Sequence, residues 1–107
     1  MNNAVRCYIG LGSNLENPIG QVQQALQELA ALPLSRQVAS SSLYATAPIG
    51  PQDQPDFINA VVRTIVALDP LALLHRLLTI ESEFGRVRDG SCNGPRLLDL
   101  DLLMYGD

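Results

Sequence analysis

Asp99 and Asp101 carry the strongest chemical signal in this 107-residue sequence, because they interrupt an otherwise apolar run from Leu97 to Leu103. The run reads as a strand, and strand side chains alternate faces, so the two carboxylates point the same way with Cα atoms ~6.7 Å apart. Leu98, Leu100 and Leu102 take the opposite, core-facing side. Two carboxylates converging at ~5 Å, with an effective dielectric near 20, repel by roughly 3 kcal/mol. A fold keeps such a pair where a cation sits between them or where one stays protonated. Mg²⁺ suits the first case, since it accepts one or two carboxylates together with phosphate oxygens. Arg96, at the mouth of the strand, adds a planar donor fork that matches phosphate. The plain alternative is an Asp-x-Asp on an open, solvated sheet face.

The surroundings weigh on that choice. Net charge is −4 and every cationic side chain is arginine. An acidic balance argues against a general nucleic-acid or membrane-surface binder. Yet three of the seven arginines, Arg86, Arg88 and Arg96, fall in one short segment. A local basic cluster in an acidic protein points to a small anionic ligand. Cys7 and Cys92 have no metal-ligand neighbour at close spacing and read as reduced thiols. His75 is the only histidine, which excludes a multi-histidine metal centre, and it fits an ordinary helix position.

At 107 residues the chain is one domain, residues 1–107, with hydrophobic content of 47% that fits a compact globule. No apolar run approaches the ~20 residues that span a bilayer. The first residues lack the basic and apolar regions of a signal peptide, so a cytoplasmic location is expected.

The elements that must position the carboxylates follow from periodicity. Residues 5–11 alternate as a strand, and Gly12-Ser13-Asn14 breaks it. Asn17-Pro18 reads as a cap with proline in the first turn, and Ile19, Val22, Leu26 and Leu29 follow at helical spacing. A second, weaker strand is expected over 38–45. Residues 46–55 carry four prolines and glycines (Pro48, Gly50, Pro51, Pro55) and are too long for a tight hairpin. Residues 57–68 read as a third strand, with Phe57, Asn59, Val61, Arg63 and Ile65 on one face. Asp69-Pro70 opens a second helix with Leu73, Leu77, Ile80 and Phe84 as its stripe. Residues 86–96 form an arginine loop before the last strand, 97–105. The order βαββαβ predicts an α+β, ferredoxin-like fold, with two helices on one face of a four-stranded antiparallel sheet.

That fold brings the 46–55 loop, Phe57, Asn59, the arginine loop and the carboxylate pair toward one edge. The set suits phosphoryl transfer: a metal bridges phosphate oxygens, arginines neutralise charge, and an aromatic holds a flat acceptor.

The segments Gly12-Ser13-Asn14-Leu15, residues 46–60 (TAPIGPQDQPDFINA), Gly85-Arg86-Val87-Arg88 and Gly94-Pro95-Arg96-Leu97-Leu98-Asp99-Leu100-Asp101 resemble the 6-hydroxymethyl-7,8-dihydropterin pyrophosphokinase family. The motifs keep the family's order and spacing over essentially the whole chain. The resemblance implies transfer of pyrophosphate from ATP to the hydroxymethyl group of a reduced pterin, releasing AMP, in folate biosynthesis. It makes Asp99 and Asp101 ligands of Mg²⁺ between the ATP phosphates. It places Asn59 on the pterin edge, Phe57 against the ring, and Thr46, Pro48 and Ile49 around the pocket. It puts Glu81 and Arg88 near the nucleotide, with Arg86 and Arg96 assisting transfer. The partners it implies are small substrates, and the unit a monomer. Phe57 as a core aromatic, Glu81 as solvated surface, and Arg86 and Arg88 as solvated loop charges are the plain alternatives.

The sequence also departs from the family. Asn93 stands where the family has tryptophan before Gly-Pro-Arg, and Leu78 where a glutamine is expected near adenine. The family continues beyond the fourth strand with further groups that grip ATP and cover the pterin, whereas this sequence ends at Asp107. Reduced turnover is therefore expected of these residues alone. A catalytically weak pterin-binding relative with a regulatory or scaffold role is the second reading. An RNA-binding ferredoxin-like domain is the third and poorest, since only five residues are aromatic.

Overall fold

The computed structural model of the chain describes residues 4–47, 55–84 and 98–106. Its elements are β1 (Val5–Ser13), α1 (Pro18–Ala30), β2 (Ser35–Ser40), β3 (Tyr44–Thr46), β4 (Phe57–Val66), α2 (Pro70–Glu83) and β5 (Asp99–Tyr105). The sheet runs β2-β4-β1-β5, all antiparallel, with β3 on the same edge of β4 as β2. This is the expected ferredoxin-like arrangement.

Both helices start as their sequences dictate. Asp69 is extended (φ −71°, ψ 166°), its Oδ1 accepts the Ala72 N–H at 2.8 Å, and Pro70 occupies the first turn where no amide bond is lost. Asn17 caps α1 from the left-handed region (φ 63°), which asparagine tolerates, and its bond from the Gly20 N–H is longer, 3.4 Å. Asp69→Ala should therefore cost about 1 kcal/mol. Urea unfolding would show this as a lower midpoint with unchanged slope, and an unmoved midpoint would mean the cap contributes nothing.

Alternation builds the core. Cys7, Ile9 and Leu11 of β1, Ala60, Val62 and Val66 of β4, and Leu100 of β5, with Leu98 just before it, are buried together with Val22, Ala25 and Leu29 of α1 and Leu73, Leu77 and Ile80 of α2. Burial raises the Cys7 thiol above its ordinary value, so it stays protonated and inert. The opposite, helix-free face of the sheet carries Gly10, Gly12, Phe57, Asn59, Asp99 and Asp101.

The expected second strand differs from what forms. Its first half starts earlier, at Ser35, and residues 41–43 leave the ladder before Tyr44 rejoins it. Ser41 explains the break: its N–H donates to the Val61 carbonyl and its Oγ accepts the Val61 N–H, both at 2.8 Å. A side-chain oxygen thus takes a backbone carbonyl's place, and three residues bulge against two of β4. β1 also runs on through Gly12 and Ser13, where a break was expected, because both pair with β4. β4 stops at Val66, short of Leu68.

In β5 a bulge at Leu103 shifts the register between Ile9↔Leu102 and Tyr8↔Met104. The shift returns Tyr105 to the helix side, where its hydroxyl donates to the Leu68 carbonyl at 2.6 Å. This bond anchors the strand that bears the carboxylates. Among the described residues no helix is long and apolar enough to cross a membrane.

Candidate functional site

Register places the site residues in two rows across the open face. Asn59 pairs with Gly12 on one side and Tyr44 on the other, and Gly12 pairs with Asp99. One step along, Val61 pairs with Gly10 and Gly10 with Asp101. Adjacent strands lie ~4.8 Å apart, so the Asn59 amide and the Asp99 carboxylate stand about 10 Å apart across a floor of glycine. The cavity there has a volume of about 210 Å³ and is lined by Gly10, Gly12, Tyr44, Phe57, Asn59, Asp99 and Asp101 among others.

The glycines make the floor. A Cβ on Gly12 would lie 3.1 Å from Asn59 Oδ1 and 3.8 Å from Phe57 Cδ1. The same measurement shows that Oδ1 points over Gly12, into the cavity. Asn59 Nδ2 donates to Thr46 Oγ1 at 2.8 Å and lies 3.5 Å from the Phe57 carbonyl. These partners fix the amide's orientation: the donor end is held by β3 and the acceptor end faces the cavity. Thr46 therefore acts here through Asn59. Phe57 is half-buried on the open face against the cavity, so the reading of it as a core aromatic does not hold.

Asp99 is half-buried and Asp101 exposed, both on the cavity side of β5. Among the described residues no three His, Cys, Asp or Glu side chains converge on one point. A closed zinc-type site is not built from them. Two carboxylates on one side of a strand do fit Mg²⁺, which keeps several waters and takes phosphate oxygens as further ligands.

Glu81 is buried, 3% exposed, which rules out the solvated-surface alternative. Its Oε2 accepts the Leu100 N–H at 2.7 Å. Leu78 is 43% exposed on the same helix, and His75 is an exposed helical residue as expected. Pro48, Ile49, Arg86, Arg88 and Arg96, together with Cys92 and Asn93, lie outside the described residues.

Two features escaped the sequence reading. Asn14, 1% exposed, donates from Nδ2 to the Pro55 carbonyl at 3.0 Å and ties the end of β1 to the residues entering β4. Glycine at two alternate positions of a central strand, 10 and 12, signals a floor kept free of side chains.

Fold and site together define a ferredoxin-like α+β domain with a cavity and a carboxylate pair on the open face of its sheet. A model of the 7,8-dihydro-6-hydroxymethylpterin-pyrophosphokinase family matches residues 8–106, and the chain belongs to that family. It is 48% identical over 103 residues to a 2-amino-4-hydroxy-6-hydroxymethyldihydropteridine pyrophosphokinase of Haemophilus influenzae, covering 96% of this chain and 64% of the relative. It is 51% identical over 102 residues to the protein of that name in Pseudomonas aeruginosa, covering 95% and 62%. A Pseudomonas putida protein of the same name is 46% identical over 103 residues, with 96% and 84% covered. The chain thus spans a little under two thirds of the length of the first two relatives.

Proposed function

We propose that the chain carries the acceptor and metal sites of an enzyme that moves a pyrophosphoryl group from ATP to the hydroxymethyl oxygen of a reduced pterin. The observation that supports it best is the row Asn59–Gly12–Asp99, which sets an oriented amide acceptor and a carboxylate at opposite ends of one flat floor. A pterin presents N–H donors along one edge and its hydroxymethyl group at the far end. With the donor edge on Asn59 Oδ1, that hydroxymethyl group reaches toward Asp99 and Asp101. Phe57 packs on the ring, and Thr46, Pro48 and Ile49 complete the pocket.

In the reaction the hydroxymethyl oxygen attacks the β-phosphorus, its bond to the α,β-bridging oxygen breaks, AMP leaves, and the hydroxyl proton passes to solvent. Asp99 and Asp101 hold Mg²⁺, which when bound supplies charge neutralisation on the ATP phosphates. Arg86 and Arg96 assist transfer, and Arg88 is assigned to the nucleotide. Positioning and exclusion of water supply most of the rate in such chemistry.

The test is production of AMP from ATP that depends on both the reduced pterin and Mg²⁺. Pterin binding without AMP formation would instead favour a binding module. Asn59→Ala should weaken pterin binding by ~1–3 kcal/mol, the cost of leaving a polar edge unpaired in a desolvated site. Phe57→Ala should weaken it by about 1 kcal/mol or more through loss of one stacking surface. Calorimetry showing unchanged affinity in both variants would remove these residues from the pocket.

A further inference from the structure

We infer that Glu81 is a positioning residue for the carboxylate pair, acting through the backbone of β5 rather than on a substrate. The inference rests on the metal role proposed for Asp99 and Asp101. Glu81 is buried at the end of α2 and its Oε2 accepts the Leu100 N–H at 2.7 Å. Leu100 is the one residue between Asp99 and Asp101. Its side chain is buried on the helix side, 7% exposed, whereas both aspartates line the cavity on the opposite face. Glu81 does not line that cavity.

The geometry makes this bond a control on strand orientation. Among the described residues β5 pairs with β1 alone, so its alternate amides face away from the sheet. The Leu100 amide is one of these, and Glu81 gives it a side-chain acceptor on an element fixed by its own packing. Leu73, Leu77 and Ile80 bury the same face of α2 that carries Glu81. Rotation of β5 about its axis would swing Asp99 and Asp101 together, and a working site tolerates only about 10–20° of such error. An apolar residue would fill the space beneath the strand. Only an acceptor also fixes its roll.

The test compares Glu81→Ala with Glu81→Gln, which removes the charge and keeps an acceptor oxygen. Binding of a non-hydrolysable ATP analogue is titrated with Mg²⁺ by calorimetry, and exchange of the Leu100 amide is followed in metal-free protein. Glu81→Ala should raise the Mg²⁺ needed for half-maximal binding about tenfold, as loss of a residue that orients a metal ligand does. Its Leu100 amide should exchange at least about tenfold faster. Glu81→Gln should stay within about twofold of the parent on both readouts. Glu81→Met, which fills the space with no acceptor, carries the comparison if the alanine variant does not fold, and pterin affinity without Mg²⁺ should be unchanged. An unmoved Mg²⁺ dependence in the variants lacking an acceptor would overturn the inference. So would a Gln variant that behaves like Ala, since that result assigns the effect to charge. Asp101→Asn is the separate control: if it still binds Mg²⁺ and the analogue normally, the metal role itself fails, whatever Glu81 does.

Discussion

Asparagine at position 99 or 101 is expected to abolish Mg²⁺-dependent nucleotide binding and to lower AMP production by about 10³-fold or more, which corresponds to ~4 kcal/mol of transition-state stabilisation. The side chains are nearly isosteric, so the cavity keeps its shape. What changes is one negative charge and one strong oxygen donor for a hard cation, which takes carboxylates in preference to amides. Neither position carries packing: Asp101 is exposed, Asp99 is half-buried, and the core-facing residues of this segment are Leu98 and Leu100. Each substitution also removes half of a like-charged pair on adjacent same-face positions. Relief of that repulsion favours the metal-free fold, against whatever the replaced carboxylate contributes through its own contacts. Equilibrium unfolding and calorimetric Mg²⁺ titration on the same preparations separate the two effects. Equal affinity for Mg²⁺ and nucleotide in parent and both variants would exclude the pair as the metal site.

The open faces of β4 and of the first half of β5 were legible because Phe57, Asn59 and Arg63, and Asp99 and Asp101, recur at even spacing. Ala60, Val62 and Val66, and Leu98 and Leu100, are buried, while Phe57, Asn59, Asp99 and Asp101 turn to the open face. The starts of both helices were legible for a local reason, a side-chain oxygen followed by proline. The split edge was not, because it depends on Ser41 trading its hydroxyl for a backbone carbonyl against Val61, a partner 20 residues away. Nothing in the serine run distinguishes that hydroxyl from its neighbours. Glu81 left a fainter trace: it lies four residues after Leu77 and eight after Leu73, on the apolar stripe of α2, where a solvated glutamate does not belong. Its partner, an amide on another strand, has no sequence signature at all. The part played by Thr46 was hidden for the same reason, since it works by orienting Asn59 across a strand pair.

Gly12→Val should remove pterin binding, with affinity falling about a hundredfold or more, while the domain still folds; that drop of ~2.7 kcal/mol or more lies at or beyond the top of the ~1–3 kcal/mol assigned to Asn59 because it closes the space as well. Gly12 sits in a central strand between Asn59 and Asp99, where valine is a favourable residue for the backbone. Its φ is not in the left-handed region that only glycine occupies easily, so no backbone strain arises from the change. The effect comes from the side chain. Even the first added carbon would stand 3.1 Å from Asn59 Oδ1, closer than an ordinary contact, and two further methyl groups would rise from the floor. Asn59 cannot yield freely, because its Nδ2 is held by Thr46 Oγ1 at 2.8 Å. The ring and the valine would compete for one space, and the amide acceptor would be deflected or covered. Gly10→Ala is the internal comparison. The three atoms nearest its Cβ all belong to the side chain of Leu103, the first at 3.3 Å, and that residue is 53% exposed at a bulge with room to turn. Gly10→Ala should therefore change pterin affinity by no more than about twofold, within the ~0.5 kcal/mol of a tolerated surface substitution. Calorimetry on both variants, with circular dichroism to confirm the fold, decides the matter: a Gly12→Val protein that binds pterin normally would move the acceptor site off this face of the sheet.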